Sequence, residues 1–463
     1  MSKSLIIYCF VLASLVSACH QSKSKTINLE QDRFIQVYFN HQADLGNSYT
    51  DPYRKITRSG DNLEEVIIKS INSAQSSIDL AVQEFKLPKI AQALAQKYRA
   101  GVKVRVILDN NYSRPLSQLN STEINRLPVR DRSKYQDFLA FIDSNQDGRL
   151  SNSEIAQGDA LIILKNAGIP LIDDTADGSK GSGLMHHKFM IVDQKIVVTG
   201  SVNYTLSDTH GDFNNPETRG NANNLLVINN QELARFFTEE FNYMWGDGVG
   251  GNFDSLFGLA KPYRSPQKLV WNNTTVEIQF SPTSPSKDWQ ISTNGLIGKA
   301  ISNADNSIDF ALFVFSEQKL VDLLAQAQQK QVKIQGVFEP EFALRSYSEV
   351  LDMWGVALRD RCKYEPNNNP WKKSINTVGI AQLVKGDKLH HKFAVIDRNT
   401  VITGSHNWSE AANYNNDENL LVINNTIVAQ HFQQQFNLLY EQAELGIPTY
   451  FKTKLTKQQQ KCS

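Results

Sequence analysis

Two stretches decide the reading of this chain: "LMHHKFMIVDQKIVVTGSVNYT" at residues 184–205 and "KLHHKFAVIDRNTVITGSHNWS" at residues 388–409, 204 positions further on. Both carry H-x-K, four residues, D, six residues, then G-S-x-N. This singles out His186, Lys188, Asp193, Ser201 and Asn203 in the first copy, and His390, Lys392, Asp397, Ser405 and Asn407 in the second. Residues two apart in a strand share a face, so each His–Lys pair converges on one target. The adjacent His187 and His391 then point the other way and read as structural histidines. An ammonium, an imidazole and the hydroxyl and amide donors of the G-S-x-N turn suit a phosphate. Two copies supply two imidazoles, one to attack phosphorus and form a phosphohistidine, the other to protonate the departing alkoxide and then activate water. Lys188, Lys392, Asn203 and Asn407 would hold the non-bridging oxygens as charge builds, with Ser201 and Ser405 as further phosphate donors.

The duplication extends beyond the motif. "SINSAQSSIDLAVQEF" (70–85) matches "AISNADNSIDFALFVF" (300–315), and "GVKVRVILD" matches "QVKIQGVFE" at the same offset of 230, whereas "NNLLVINN" and "ENLLVINN" match at 195. Short β-branched runs alternate with amphipathic helical stretches such as "LPKIAQALAQKYRAG", the pattern of an α/β domain whose sheet is covered by helices. The expected fold is therefore a tandem pair of layered α/β/α sandwich domains packed around a shared site. The expected boundaries are a tether and first strand over 19–60, a first domain over 61–256, a second over 266–447 and a tail over 448–463.

The changing offset places an insertion at about 110–158 in the first copy and another, "DRCKYEPNNNPWKKSINTVG", near the mouth of any site in the second. Within the first, "DSNQDGRLSNSE" sets Asp143, Asn145, Asp147, Arg149, Ser151 and Glu154 at the ligand positions of an EF-hand calcium loop, with Gly148 for the sharp bend. The expectation is a calcium ion with a structural or regulatory role, Glu154 chelating with both oxygens.

The chain opens with Lys3, an apolar run from Leu5 to Val16 and small residues ending at Cys19. That run is too short to cross a bilayer, which takes about 20 residues, and reads as a secretory signal over 1–18. Its end resembles the lipobox of bacterial lipoproteins, which implies lipidation of Cys19 and an envelope anchor. His20 rather than Asp implies the outer membrane, facing the periplasm. The alternative is ordinary cleavage and release. Export leaves Cys362 and Cys462 either bridged or as two free thiols. Forty-eight basic and forty-eight acidic residues give no net charge, so there is no bulk electrostatic case for a nucleic-acid partner.

Both histidine motifs resemble the HKD motif of the phospholipase D superfamily, over most of the mature chain. The resemblance implies a phosphodiesterase that needs no metal for catalysis, with His186 as nucleophile and His390 as acid. By spacing, the motif members Asp193 and Asp397 fall on the opposite strand face from their lysines and so brace the motif rather than touch substrate. It also implies an acidic residue downstream of each motif that orients the histidine. Glu418 fits that role for His390, but the matching position in the first copy is Asn223, with Asp208, Asp212 and Glu217 nearby as substitutes. The expected substrate is a phospholipid headgroup ester. A nuclease of the same superfamily, and a calcium-dependent envelope protein with an inactive catalytic fold, are the alternatives.

Overall fold

The computed structural model describes residues 29–42 and 47–462. Cys19 and the expected leader lie outside the described residues. The β-branched runs of the first copy form a seven-stranded sheet in the order Ile35–Phe39, Asn224–Asn229, Ile196–Gly200, Lys188–Val192, Ser77–Val82, Lys103–Leu108, Leu171–Asp173. The second copy repeats that order in Thr274–Ser281, Glu418–Asn424, Thr400–Gly404, Lys392–Ile396, Ser307–Leu312, Lys333–Phe338 and Val378–Ile380, and adds one edge strand at each end to make nine. Central strands such as Lys188–Val192 and Lys392–Ile396 are buried at every residue, because helices cover both faces and no alternation is left to read.

Each sheet has an outer helical layer. In the first copy it is Leu63–Ser73, Pro88–Arg99 and Ala160–Ala167; in the second, Thr293–Ser302, Gln318–Gln329 and Glu349–Met353. The ends are capped locally: the Asn62 side chain accepts from the Glu65 amide, Asp159 from Leu161 and Ile162, and Ser292 from Gly295. The inner faces share one core, built from both sheets and from the helices Gln231–Trp245 and Thr426–Gln442, with Phe189, Phe237 and Phe280 meeting edge to face. Two equivalent bonds cross between the sheets. Thr199 Oγ1 donates to Asn419 Oδ1 at 3.1 Å, and Asn224 Nδ2 donates to Thr403 Oγ1 at 2.8 Å.

The glycine of each G-S-x-N turn is set by close approach. A Cβ on Gly200, at φ 155°, or on Gly404, at φ 135°, would lie 2.3 Å from the carbonyl oxygen of Asn224 or Asn419 respectively. Without it the next residue's amide, Ser201 or Ser405, bonds those same carbonyls at 3.1 Å.

The first insertion forms helices Ser121–Arg126, Val129–Ile142 and Asn152–Gly158, the last two flanking the acidic loop. It is clamped to the first copy through Asp137, whose carboxylate accepts from the Phe213 and Asn214 amides at 2.8 and 2.7 Å. The second insertion packs Trp371 into the outer core of the second copy and bonds Asp352 through Asn368 and Asn369. Cys362, within it, is joined to Cys462 by a disulfide that ties down the C-terminal helix Thr449–Lys461. Of the two alternatives the sequence left open, the structure contains the bridge. It closes a loop across a sequence separation of 100 residues, for which unfolded-chain entropy alone gives a stabilisation of about 4–5 kcal/mol. A Cys462→Ser variant is expected to unfold with about 2–5 kcal/mol less free energy in a denaturant titration, with its helical content unchanged in native buffer.

Candidate active site

The two motif strands enter the site through an exchange between the copies. Just before strand Lys188–Val192, His186 N donates to Asp417 O at 3.0 Å and Asp417 N to Leu184 O at 2.9 Å. The second copy mirrors this, with His390 N donating to Ala222 O at 3.0 Å and Ala222 N to Lys388 O at 2.7 Å. Each histidine therefore stands on a strand extension paired with the other half of the chain. Each extension is also held by an acid at the end of a neighbouring strand: Asp109 Oδ2 accepts from Met185 N at 3.0 Å and Glu339 Oε2 from Leu389 N at 2.8 Å. The sequence reading passed over both acids, although they end the matched runs "GVKVRVILD" and "QVKIQGVFE".

The exchange corrects the expected orienting role of Glu418. Its Oε2 lies 2.7 Å from Nδ1 of His186, not of His390. His390 Nδ1 is instead 2.9 Å from Oδ1 of Asn223. The cause is the strand pairing: Glu418 follows Asp417, which pairs beside His186, and Asn223 follows Ala222, which pairs beside His390. Asn223 thus occupies an orienting position. Its amide donates to Asp208 Oδ1 at 3.3 Å, and that oxygen lies 3.9 Å from His390 Nδ1. Of the three acids named as substitutes, Asp208 is the one that reaches the ring's partner. Asp212 instead accepts from Ser207 Oγ.

Ser201 and Ser405 also depart from expectation. Both are fully buried; Ser201 Oγ donates to Asn223 Oδ1 at 2.7 Å and Ser405 Oγ to Glu418 Oε2 at 2.6 Å. They fix the orienting residues and have no hydroxyl left for a phosphate. Asn203 and Asn407, by contrast, have side-chain amides without a hydrogen bond among the described residues, and both carbonyl oxygens are buried without a partner. Lys188 Nζ and Lys392 Nζ each donate back to the main-chain carbonyl of their own histidine, at 2.8 and 2.7 Å. Lys188 also reaches Gln83 Oε1 at 3.2 Å, whereas in the second copy Phe313 lies under both Lys392 and the His390 ring.

Asp193 and Asp397 lie at the opposite ends of their strands and are not part of the site. Each sits in the hairpin turn with positive φ and accepts three backbone amides, Asp193 from Gln75, Ser76 and Ser77 and Asp397 from Asp305, Asn306 and Ser307. They brace the turn. His187 and His391 face the inner core, where Nε2 of His187 meets Glu240 at 2.8 Å and Nε2 of His391 meets Gln435 at 3.5 Å.

The electrostatics favour neutral imidazoles. Burial holds His186 and His390 well below the usual histidine range, and the lysines Lys188 and Lys392 add to the effect on each ring. Burial likewise brings Lys188 down to about 8, against the pull of Glu418, Asp208 and Asp109. With Nδ1–H held by an acceptor, the neutral tautomer leaves the Nε2 lone pair of each ring for chemistry.

At the acidic loop, both oxygens of Glu154 are engaged with the chain: Oε1 accepts from Ser144 and Asn145 and Oε2 from Ser151, in a capping box that opens helix Asn152–Gly158. These bonds hold its carboxyl down at about 2. Asp143 Oδ2 accepts from Gly148 N at 2.9 Å, while Oδ1 is buried without a partner. Asn145 and Asp147 bond each other, and the Arg149 amide bonds Asp147. No group of three or more His, Cys, Asp or Glu side chains poised to hold a metal ion occurs among the described residues.

The family model described as "Cardiolipin synthase, PLD-like domain" matches residues 67–245 and 297–440. The chain belongs to the phospholipase D-like family. The mitochondrial cardiolipin hydrolase of Mus musculus is 28% identical over 179 residues, 39% of this chain and 56% of that protein. A phospholipase D of Rickettsia felis is 27% identical over 141 residues, 30% of this chain and 60% of that one. The chain spans 49–60% of the length of the curated relatives it matches. Among solved structures, the phosphatidylserine synthase of Haemophilus influenzae superposes with a TM-score of 0.54 at 12% identity, covering 93% of each chain, and so shares the duplicated fold. In this phospholipase D-like chain no described helix is long and apolar enough to cross a membrane.

Because the four motif histidines have their pKa depressed by burial, the unfolded chain binds more protons than the folded one below pH of about 6.5. Their contribution to stability is present above that pH and is lost as pH falls toward the folded values. The buried carboxyls of Glu349 and Asp387, pushed up to about 9 and about 7, act in the opposite sense over the same range, so the check is made at the rings themselves: the ring carbons of His186 and His390 should keep neutral-form chemical shifts at pH 6.

Proposed function

We propose that this protein is a phosphodiester hydrolase in which His186 is the nucleophile and His390 the general acid and base. The observation that carries the assignment is the unequal pair of orienting residues. Glu418, a carboxylate, faces Nδ1 of His186, and Asn223, a neutral amide, faces Nδ1 of His390. Nε2 of His186 attacks phosphorus and the bond to the leaving oxygen breaks; the ring becomes cationic, which a carboxylate stabilises. His390, protonated in the field of the bound phosphate, gives its proton to the leaving oxygen, and an amide partner makes that proton easier to release. His390 then takes a proton from water as the water attacks phosphorus and frees His186. Lys188, Lys392, Asn203 and Asn407 hold the non-bridging oxygens.

With p-nitrophenyl phosphodiesters, whose leaving group needs no proton, the His390→Ala variant is expected to accumulate phosphorylated His186, detectable as added mass and by phosphorus NMR. Phosphate found on His390 in a His186→Ala variant instead would reverse the roles. With ordinary alkyl esters, His390→Ala should lose about 10² to 10⁴ in rate. The depressed Lys188 loses charge as pH rises through about 8, so kcat/KM is expected to fall above that pH; burial holds Lys392 down as well, so Lys188→Arg and Lys392→Arg together should remove this limb.

We take a phospholipid as the substrate. This reading is supported by the names of the lipid-cleaving relatives and by the leader read at Cys19, which would hold the protein on an envelope membrane. The disulfide Cys362–Cys462 supports an exported, oxidising location. Product analysis on labelled phospholipid, plasmid DNA and RNA tests it; release of phosphatidic acid bears the reading out, nucleic-acid fragments alone replace it with the nuclease, and no product in either leaves the binding protein. The acidic loop is proposed to take calcium, supported by the spacing of its donors and by the unpartnered Oδ1 of Asp143. Calorimetric titration should give heat with the native protein and none with Asp143→Ala, and no heat from either would remove the proposal.

A further inference from the structure

A second site follows from comparing the copies with each other, away from the catalytic histidines. In the first copy, strand residue Asp79 is held by Arg105, whose Nε meets Oδ1 at 2.7 Å and whose Nη2 meets Oδ2 at 2.8 Å and Asn242 Oδ1 at 3.0 Å. The guanidinium lies over the rings of Phe241 and Trp245, 4.7 and 5.4 Å from their centroids. In the second copy, the offsets of 230 and 195 place Asp309, Asn437, Phe436 and Tyr440 at the matching positions, and the two rings again stack, 5.2 Å apart. The arginine is missing, and Tyr440 stands where the first copy has Trp245. Gln335 stands in the arginine's place and makes no side-chain hydrogen bond among the described residues.

What is left is a cavity of about 290 Å³ lined by Asp309, Gln335, Gln433 and Asn437, with Lys333 and Arg398 also in its wall. Asp309 is 5% exposed; Gln433 Nε2 donates to its Oδ2 at 2.8 Å and to Asn437 Oδ1 at 3.1 Å, replacing the two contacts of Arg105 Nη2, while the Oδ1 that Arg105 Nε meets in the first copy is here buried with no partner. Gln433 Oε1 is a second buried acceptor without one. Two unpartnered acceptors, one of them a carboxylate, in a hollow vacated by a guanidinium call for a cation with several N–H donors. Burial pushes the Asp309 carboxyl up from its usual range, against the hydrogen bond from Gln433 and the charges of Lys333 and Arg398, neither of which is hydrogen-bonded to it. Lys333 and Arg398 are unsuited to the cation itself but suit an anionic group carried at its far end.

We propose that this cavity binds a small guanidinium-bearing molecule, its cation on Asp309 in the place Arg105 fills in the first copy, and an anionic group against Lys333 and Arg398. Calorimetric titration of the full-length protein with L-arginine, with agmatine, which lacks the carboxylate, and with norvaline, which lacks the guanidinium, tests it. L-arginine should bind saturably at one per chain, agmatine at least threefold more weakly, and norvaline not at all. Gln335→Arg, which supplies the chain's own guanidinium, and Asp309→Asn should each weaken L-arginine binding at least tenfold, and Gln335→Arg should leave phosphodiester cleavage unchanged. Absence of saturable binding by L-arginine and agmatine, equal binding of norvaline, or undiminished binding in Gln335→Arg would each overturn the proposal. Agmatine binding as tightly as L-arginine would overturn the part assigned to Lys333 and Arg398. Should Asp309→Asn not fold, Gln335→Arg decides alone, since it adds a bond that the first copy already accommodates.

Discussion

Everything at the catalytic centre depends on one arrangement of backbone: the strand extension that carries each histidine is hydrogen-bonded to the opposite copy, His186 to Asp417 and His390 to Ala222. These bonds bring together rings that lie 204 residues apart in the chain and fix which side chain meets which ring. The rest of the fold supports this seam. The shared inner core keeps the sheets together, the reciprocal Thr199–Asn419 and Asn224–Thr403 bonds keep them in register, and the glycines of the two G-S-x-N turns let the backbones approach.

The seam also turns sequence symmetry into chemical difference. The copies place a carboxylate at 418 and an amide at 223, and because orienters are exchanged, each difference acts on the partner's histidine. Two rings in nearly equal burial, both held down by burial and by the same two lysines, thus differ in the partner at Nδ1, a carboxylate for one and an amide for the other. An amide acceptor at 223 is no defect in this frame. Ser201 and Asp208 hold it as firmly as Ser405 holds Glu418.

The duplicated α/β plan, the strand and helix order and the convergence of His186, Lys188, His390 and Lys392 were legible from periodicity and from the repeat. The pairing of Glu418 with His186 was not, because local spacing describes one copy at a time and carries no signal of a strand that pairs across copies. Ser201 was read as a phosphate donor because its neighbours in the motif were; its full burial is a property of the seam, invisible in a hydropathy pattern. Asp193 shows the reverse. Its odd spacing from Lys188 was enough to suggest a brace, and in the structure it sits in the turn at positive φ and collects three amides. Glu154 matched a calcium loop by spacing, yet the same S-x-x-E spacing is a capping box, and in the structure the cap is formed.

The linker between the copies carries a further consequence. Lys261 sits buried between Glu240 of the first half and Asp417 of the second, and Asp417 is the residue that pairs with His186. A chain emerging from its N-terminus would therefore hold its first histidine without a strand partner or a carboxylate until residues beyond 418 arrive. The first half alone cannot complete the surroundings of its own histidine, since both the strand partner and the carboxylate come from the second.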